Sequence, residues 1–393
     1  MRQQIILWCL CIGMSPLWAA DAKDIFLSKS GESFSSYEWR AKVFLQTHKQ
    51  WVKPEDSKRE LADVMPFELL PDPERCANRS KIGILLSHGL SDSPFSMRDP
   101  ARALQKLCYQ VRVILLPGHG TKASDLLLVD ENDWRKTFQD AANEFQKKVD
   151  VFYVGGFSTG GALAAEYAWQ HSDTVSGVLL FSPLFKIHSN IDWLSPFLSY
   201  FKDWLDNYPA DDFAKYASIP VPAIASAYRL AKEVRAQLLD NPKNIPVFMA
   251  LSEDDQTVDA SVSEGVFNKA MISPKSQMVL YSKTKSNAQT DRTRIYNTNW
   301  PKRQILGLSH MSIHGDPRNP YYGEKGEYRI CDWYLSDRSL YDDCRTDPNN
   351  WFGEKSDALM SRSAHAARIS WNPTFDVLMK QASNFIQATA YLN

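Results

Sequence analysis

A serine hydroxyl is a poor nucleophile at neutral pH unless its surroundings activate it, and one stretch of this chain has the form that does so: Gly155-Gly156-Phe157-Ser158-Thr159-Gly160-Gly161. An apolar strand at 151–154 enters it and a small-residue helix (Ala162, Leu163, Ala164, Ala165) leaves, so G-x-S-x-G lies on a strand-to-helix turn. On such a turn the serine takes a positive φ, and Gly156 and Gly160 keep Cβ atoms out of the space where strand and helix cross. The hydroxyl then stands at a helix N-terminus, where backbone N–H groups favour negative charge. The chemistry that follows is acyl transfer. It needs a histidine to take the serine proton and a carboxylate to hold that histidine's tautomer.

The chain offers these parts in the order Ser158, Asp255, His310, the order expected when the nucleophile rides such a turn. Asp254 and Asp255 compete for the acid. Asp255 is preferred because it stands directly before Gln256-Thr257-Val258, where the turn aims a side chain back toward the histidine. Of the eight histidines, His310 comes after the acid at the end of an apolar segment, with His314 in reserve. His88 and His119 read as structural residues bonded to backbone at strand-end turns, and His48, His171, His188 and His365 have no supporting context. The tetrahedral intermediate also needs donors. Thr159 N–H is one candidate, and Leu90 N–H, in His88-Gly89-Leu90, is the other. Losing one such donor typically costs about 3 kcal/mol of barrier stabilisation.

The elements that must position these residues alternate. Strands at 82–87 and 111–116 flank a helix at 97–107, and a crossover helix at 133–149 shows Trp134, Phe138, Ala141, Phe145 and Val149 on one face. The turn strand and a further strand at 175–181 complete residues 76–183 as the first half of a parallel α/β core. Before it, residues 23–75 form an extension whose helical patch, 37–51, places Trp39, Val43, Phe44 and Trp51 at helical spacing against the core. After it the alternation stops. Residues 184–243 read as a helical lid over the C-terminal edge of the sheet, with Trp193, Phe197 and Phe201 facing the substrate among further aromatics (Tyr200, Trp204, Tyr208). Residues 244–393 resume the core with strands at 245–251 and 276–282. A segment at 304–308 delivers His310, a Gly-, Pro- and Tyr-rich region covers 315–351, and an amphipathic helix at 375–392 ends the chain.

At 393 residues and 44% hydrophobic composition the chain can bury a large core, and a formal charge of −1 with no basic run argues against a nucleic-acid partner. Met1-Arg2, the apolar run 5–14, Ser15-Pro16 and Ala20-Asp21-Ala22 read as a signal peptide spanning 1–22, too short to cross a bilayer. Cys9 and Cys11 would leave with it, and Trp8 and Leu10 before them argue against a lipoprotein anchor. In an exported, periplasmic or secreted protein the four cysteines that remain imply two disulfides, Cys76–Cys108 and Cys331–Cys344. No cysteine or histidine spacing resembles a metal site.

Together, His88-Gly89-Leu90, Leu116-Pro117-Gly118-His119-Gly120, Gly156-Phe157-Ser158-Thr159-Gly160, Glu253-Asp254-Asp255 and Ser309-His310 resemble the α/β-hydrolase superfamily. Within it the likeness is to the monoglyceride lipase, lysophospholipase and carboxylesterase group, also grouped with serine aminopeptidase-like hydrolases. The resemblance covers about 80–314. It implies an eight-stranded, mostly parallel sheet with helices on both faces, an ester hydrolase without cofactor, and nucleophile, acid and base at Ser158, Asp255 and His310. The long N-terminal lead-in and the cysteine-bearing region after His310 depart from the group, so substrate choice is not inherited. The expected substrate is a small-molecule or lipid ester, with the lid a surface for transient membrane contact. Amide or N-terminal peptide cleavage, acyl transfer and a non-catalytic binding protein on the same fold are the alternatives.

Overall fold

The computed structural model describes residues 29–76, 81–189, 191, 194–206 and 208–390. The signal peptide read at 1–22 and Trp193 lie outside the described residues. Nine strands form the main sheet: β1 (Phe67–Leu69), β2 (Ile82–Ser87), β3 (Gln110–Ile114), β4 (Val151–Phe157), β5 (Gly177–Phe181), β6 (Val247–Ser252), β7 (Gln277–Ser282), β8 (Ala288–Gln289) and β9 (Thr293–Asn297). Their order is β1-β3-β2-β4-β5-β6-β7-β9-β8, parallel throughout except for β1 and β8 at the two edges. The expected count of eight is exceeded by a hairpin: β8 is two exposed residues in a polar stretch, with no hydrophobic pattern to announce it.

The central strands are buried on both faces, which is why they read as unbroken apolar runs. Ile84, Leu86, Val113, Tyr153 and Phe248 face one side with the helices Arg98–Gln105 and Phe375–Thr389. Leu85, Ile114, Val154, Val178 and Val247 face the other, under the helices Glu131–Phe145, Thr159–Gln170, Val221–Asp240 and Ala260–Ala270. The crossover helix starts earlier than its apolar pattern suggested, because Asp130 and Asp133 form a reciprocal capping box.

Two expectations are corrected. The helix of the extension, Phe34–His48, buries Phe34, Tyr37, Phe44 and Leu45, whereas Trp39 and Val43 are exposed at 64% and 42%. Tyr37 decides that face: its hydroxyl donates to Leu115 O at 2.7 Å and accepts from Leu115 N–H at 3.1 Å. The stretch read as a lid divides in two. Its second half is the helix Val221–Asp240, whose Ala223, Ala227, Leu230, Val234 and Leu238 are core. Among its described residues the first half is a mostly irregular strap with a helical turn, Ser195–Leu198.

A second, four-stranded sheet was not foreseen: β10 (Asn299–Trp300), β11 (Ile305–Leu306), β12 (Trp351–Gly353) and β13 (Ala366–Arg368), with β11, β12 and β13 parallel. Both expected disulfides are present, Cys76–Cys108 with Cα atoms 5.5 Å apart and Cys331–Cys344 at 6.1 Å. The second closes the segment between β11 and β12.

Candidate active site

From β2 the chain moves to one side to build β3 and then to the other to build β4, so a crevice opens beyond the C-terminal ends of β2 and β4. β2 runs into His88-Gly89-Leu90 there, and β4 into Ser158. Ser158 adopts φ 52°, ψ −115° immediately before the helix Thr159–Gln170. The flanking glycines are obligatory: a Cβ on Gly156 would lie 2.5 Å from Gly160 C, and one on Gly160 2.2 Å from Ser87 O. The loop after β2 closes against the serine, since a Cβ on Gly89 would approach Ser158 Cβ to 3.1 Å.

Asp255 and His310 meet, with Asp255 Oδ2 2.6 Å from His310 Nδ1. The other carboxylate oxygen accepts the backbone N–H groups of Thr257 and Val258, both at 2.8 Å, so the carboxylate cannot swing away. An ionised acceptor makes Nδ1 the protonated nitrogen and leaves Nε2 as the basic one. Both groups are buried, at 3% and 4% exposure, and Ser158 is at 6%. The imidazole rests on the ring of Phe157, centroids 4.7 Å apart, which sets it beside the residue preceding the serine. Asp254 turns elsewhere, paired with Lys283 Nζ at 2.8 Å. His314 also packs on Phe157, but burial, with His310 beside it, pushes its pKa down to about 3.

His88 and His119 are structural. His88 Nδ1 donates to Gly89 O at 2.8 Å while Nε2 accepts Leu116 N–H at 3.0 Å, and burial holds it neutral. His119 Nδ1 donates to Pro117 O at 2.9 Å, and burial depresses its pKa to about 4.

The strap lies over the loop that follows β2. Tyr216 N–H donates to Ser91 O at 2.8 Å and Lys215 Nζ to Ser91 Oγ at 3.0 Å. Asp212 accepts from the hydroxyls of Tyr321 and Tyr322, at 3.1 and 2.5 Å. Beyond it lies a cavity of about 410 Å³ lined by Lys49, Thr121, Trp204, Tyr208, Asp212 and Tyr216 among others, and Ser158 is not part of that lining. Phe197 and Phe201, expected to face the substrate, are 62% and 76% exposed with their rings 5.2 Å apart. Phe197 lies in the helical turn Ser195–Leu198 and Phe201 just beyond it.

Sequence reasoning missed Glu354, Arg368 and Lys215, which ring the Asp255–His310 pair and the Ser91 loop. No local pattern marks them, because β12, which leads to Glu354, and β13, which carries Arg368, are three residues each, below the length at which alternation shows, and Lys215 lies in irregular chain. Among the described residues no group of three or more His, Cys, Asp or Glu is placed to hold a metal ion.

Residues 78–210 match the family model described as Serine aminopeptidase, S33. A thermostable monoacylglycerol lipase from Bacillus sp. (strain H-257) is 25% identical over 197 residues, which is 49% of this chain and 77% of the relative. Among solved structures, one from a study of the metagenome-derived lipolytic enzymes LipS and LipT superposes with a TM-score of 0.49 at 23% identity, covering 57% of this chain and 88% of that one. A monoglyceride lipase from Saccharomyces cerevisiae does so with a TM-score of 0.45 at 17% identity, covering 56% and 82%.

Proposed function

We propose that this α/β-fold hydrolase, related to the monoacylglycerol lipases, cleaves fatty-acyl esters such as acyl glycerols and lysophospholipids through an acyl-enzyme on Ser158. The observation that carries this reading is the buried bond between Asp255 and His310, whose imidazole packs on Phe157, the residue before a serine held at positive φ. His310 Nε2 takes the hydroxyl proton as Ser158 Oγ attacks the ester carbonyl carbon. The N–H groups of Leu90 and Thr159 receive the oxyanion, and His310 hands the proton to the departing alkoxide. Water, deprotonated by the same imidazole, then attacks the acyl carbon and releases the acid. Acyl transfer differs only in an alcohol replacing that water.

An amine-recognising pocket would need free carboxylates near the site. Asp211 instead accepts from Tyr328 at 2.9 Å and pairs with Arg345 at 3.4 Å, and Asp212 is taken by two tyrosines. Asp203 and Asp206 are exposed on the strap, so ester substrates are favoured over peptides. Two disulfides support a site of action outside the cytosol. Among the described residues no helix is long and apolar enough to cross a membrane. Phe197, Tyr200 and Phe201 offer apolar rings to a lipid surface.

Ser158→Ala tests the assignment. The variant should keep its circular dichroism spectrum and lose p-nitrophenyl ester turnover and fluorophosphonate labelling; retained turnover would refute the nucleophile.

A further inference from the structure

β11, β12 and β13 are parallel, so their C-terminal ends share one edge of the second sheet. Each end hands a residue to the same place. β11 leads through Gly307 to His310, β12 is followed by Glu354, and β13 ends on Arg368. Glu354 is buried, and its Oε2 accepts the backbone N–H of His310 at 3.4 Å. Arg368 Nη2 donates to that same oxygen at 3.0 Å and to Thr257 Oγ1 at 3.0 Å, while Nη1 donates to Asp332 Oδ2 at 3.1 Å. Thr257 is the residue whose backbone N–H holds Asp255 Oδ1. One guanidinium therefore touches the turn bearing Asp255, the carboxylate behind His310, and the disulfide-closed segment that begins at Cys331.

We propose that Arg368 and Glu354 are positioning residues for the Asp255–His310 pair, fixing the gap between two loops and biasing the imidazole's affinity for its proton in opposite directions. The proposal rests on reading His310 as the base. A planar guanidinium spreads its donors over three nitrogens and so spans partners on three elements, whereas a lysine ammonium has its three donors on a single nitrogen. The charges have opposite signs at the imidazole. Arg368 disfavours imidazolium, so its removal raises the pH at which His310 becomes neutral; Glu354 favours imidazolium, so its removal lowers that pH. The other groups facing the ring are Asp255 from the turn after β6 and His314 from its own loop, with Asp332 and Lys215 beyond Arg368. None of these changes in the variants below.

The test uses the full chain as wild type, Arg368→Gln, Arg368→Lys and Glu354→Gln, with two readouts between pH 5 and 9. These are the rate of fluorophosphonate labelling and the NMR titration of the His310 imidazole. Arg368→Gln should move the acid limb of labelling up by about one pH unit and Glu354→Gln should move it down by about one. Arg368→Lys should keep the limb near wild type but label on the order of 10-fold more slowly, because charge survives and geometry does not. Limbs that do not move, or that move the same way in both neutral variants, overturn the proposal. So does a slowing that merely tracks the fraction unfolded in a thermal melt. If Arg368→Gln fails to fold, the isosteric Glu354→Gln decides by the direction of its shift. A wild type that does not label refutes the reading of Ser158, while the imidazole titration still decides the positioning role.

Discussion

Asp92 stands two residues past Leu90, and burial pushes its carboxyl up to about 7 against the modest pull of Lys215. In the unfolded chain an aspartate titrates near 3.9, so the folded protein binds the extra proton and stability falls as pH rises from about 4 to about 7. Asp212, pushed up to about 6 by burial, acts with the same sign over a narrower window. Asp92→Asn keeps the acceptor for Ser93 N–H, now met at 2.9 Å, and removes the titration. The variant should therefore match wild type in thermal melts near pH 4.5 and exceed it at pH 8 by on the order of 2 kcal/mol. An advantage of the same size at both pH values would contradict the burial argument. At this scale the sequence was most informative where chemistry tolerates few residues. Ser158 has the positive φ that its flanking glycines imply, and it is Asp255 rather than Asp254 that meets His310. Arg368 was invisible because its importance comes from three partners that are distant in the chain.

At the scale of elements, the core strands were legible because burial on both faces leaves long apolar runs, whereas β8 and β10 to β13 are two or three residues each and carry no period. The second half of the stretch read as a lid was misplaced for a related reason. An alanine- and leucine-rich helix has the same pattern whether it covers a site or packs beside Thr159–Gln170, and only tertiary contact places Val221–Asp240 in the core. The two disulfides separate stability from activity. Closing 32 residues at Cys76–Cys108 stabilises by about 4 kcal/mol on loop entropy, and closing 13 at Cys331–Cys344 by about 3 kcal/mol. Only the second bounds the segment whose Asp332 meets Arg368. The double Cys→Ser change at 331 and 344 should lower kcat about 10-fold while melting no earlier than the change at 76 and 108, which should leave kcat alone. Equal kcat in the two double variants, each measured well below its melting temperature, would uncouple the segment from the site.

At the scale of the molecule, the strap presents Ile191, Phe197, Tyr200, Phe201 and Leu205, all more than half exposed, on a chain whose other large apolar side chains are mostly buried. Two accounts of Phe197 and Phe201 compete. As substrate contacts they would affect every ester, whereas as a lipid-facing patch they would matter only where the substrate sits in an interface. Burying a phenylalanine side chain fully is worth about 2 kcal/mol, and a shallow insertion of two such rings still amounts to an affinity change on the order of 10-fold. The pair Phe197→Ser with Phe201→Ser should hydrolyse a water-soluble p-nitrophenyl ester within about 2-fold of wild type, since both rings are mostly exposed to solvent. On vesicles or emulsified monoacylglycerol the same variant should bind and turn over about 10-fold less well. A parallel loss on both substrates would return the two rings to the substrate pocket, and no loss on either would mean that the patch meets neither substrate nor lipid. The proposed selectivity thus divides between two surfaces: the proposed catalytic residues Ser158 and His310 with the Arg368 network, and an apolar strap proposed to decide at which interface they are used.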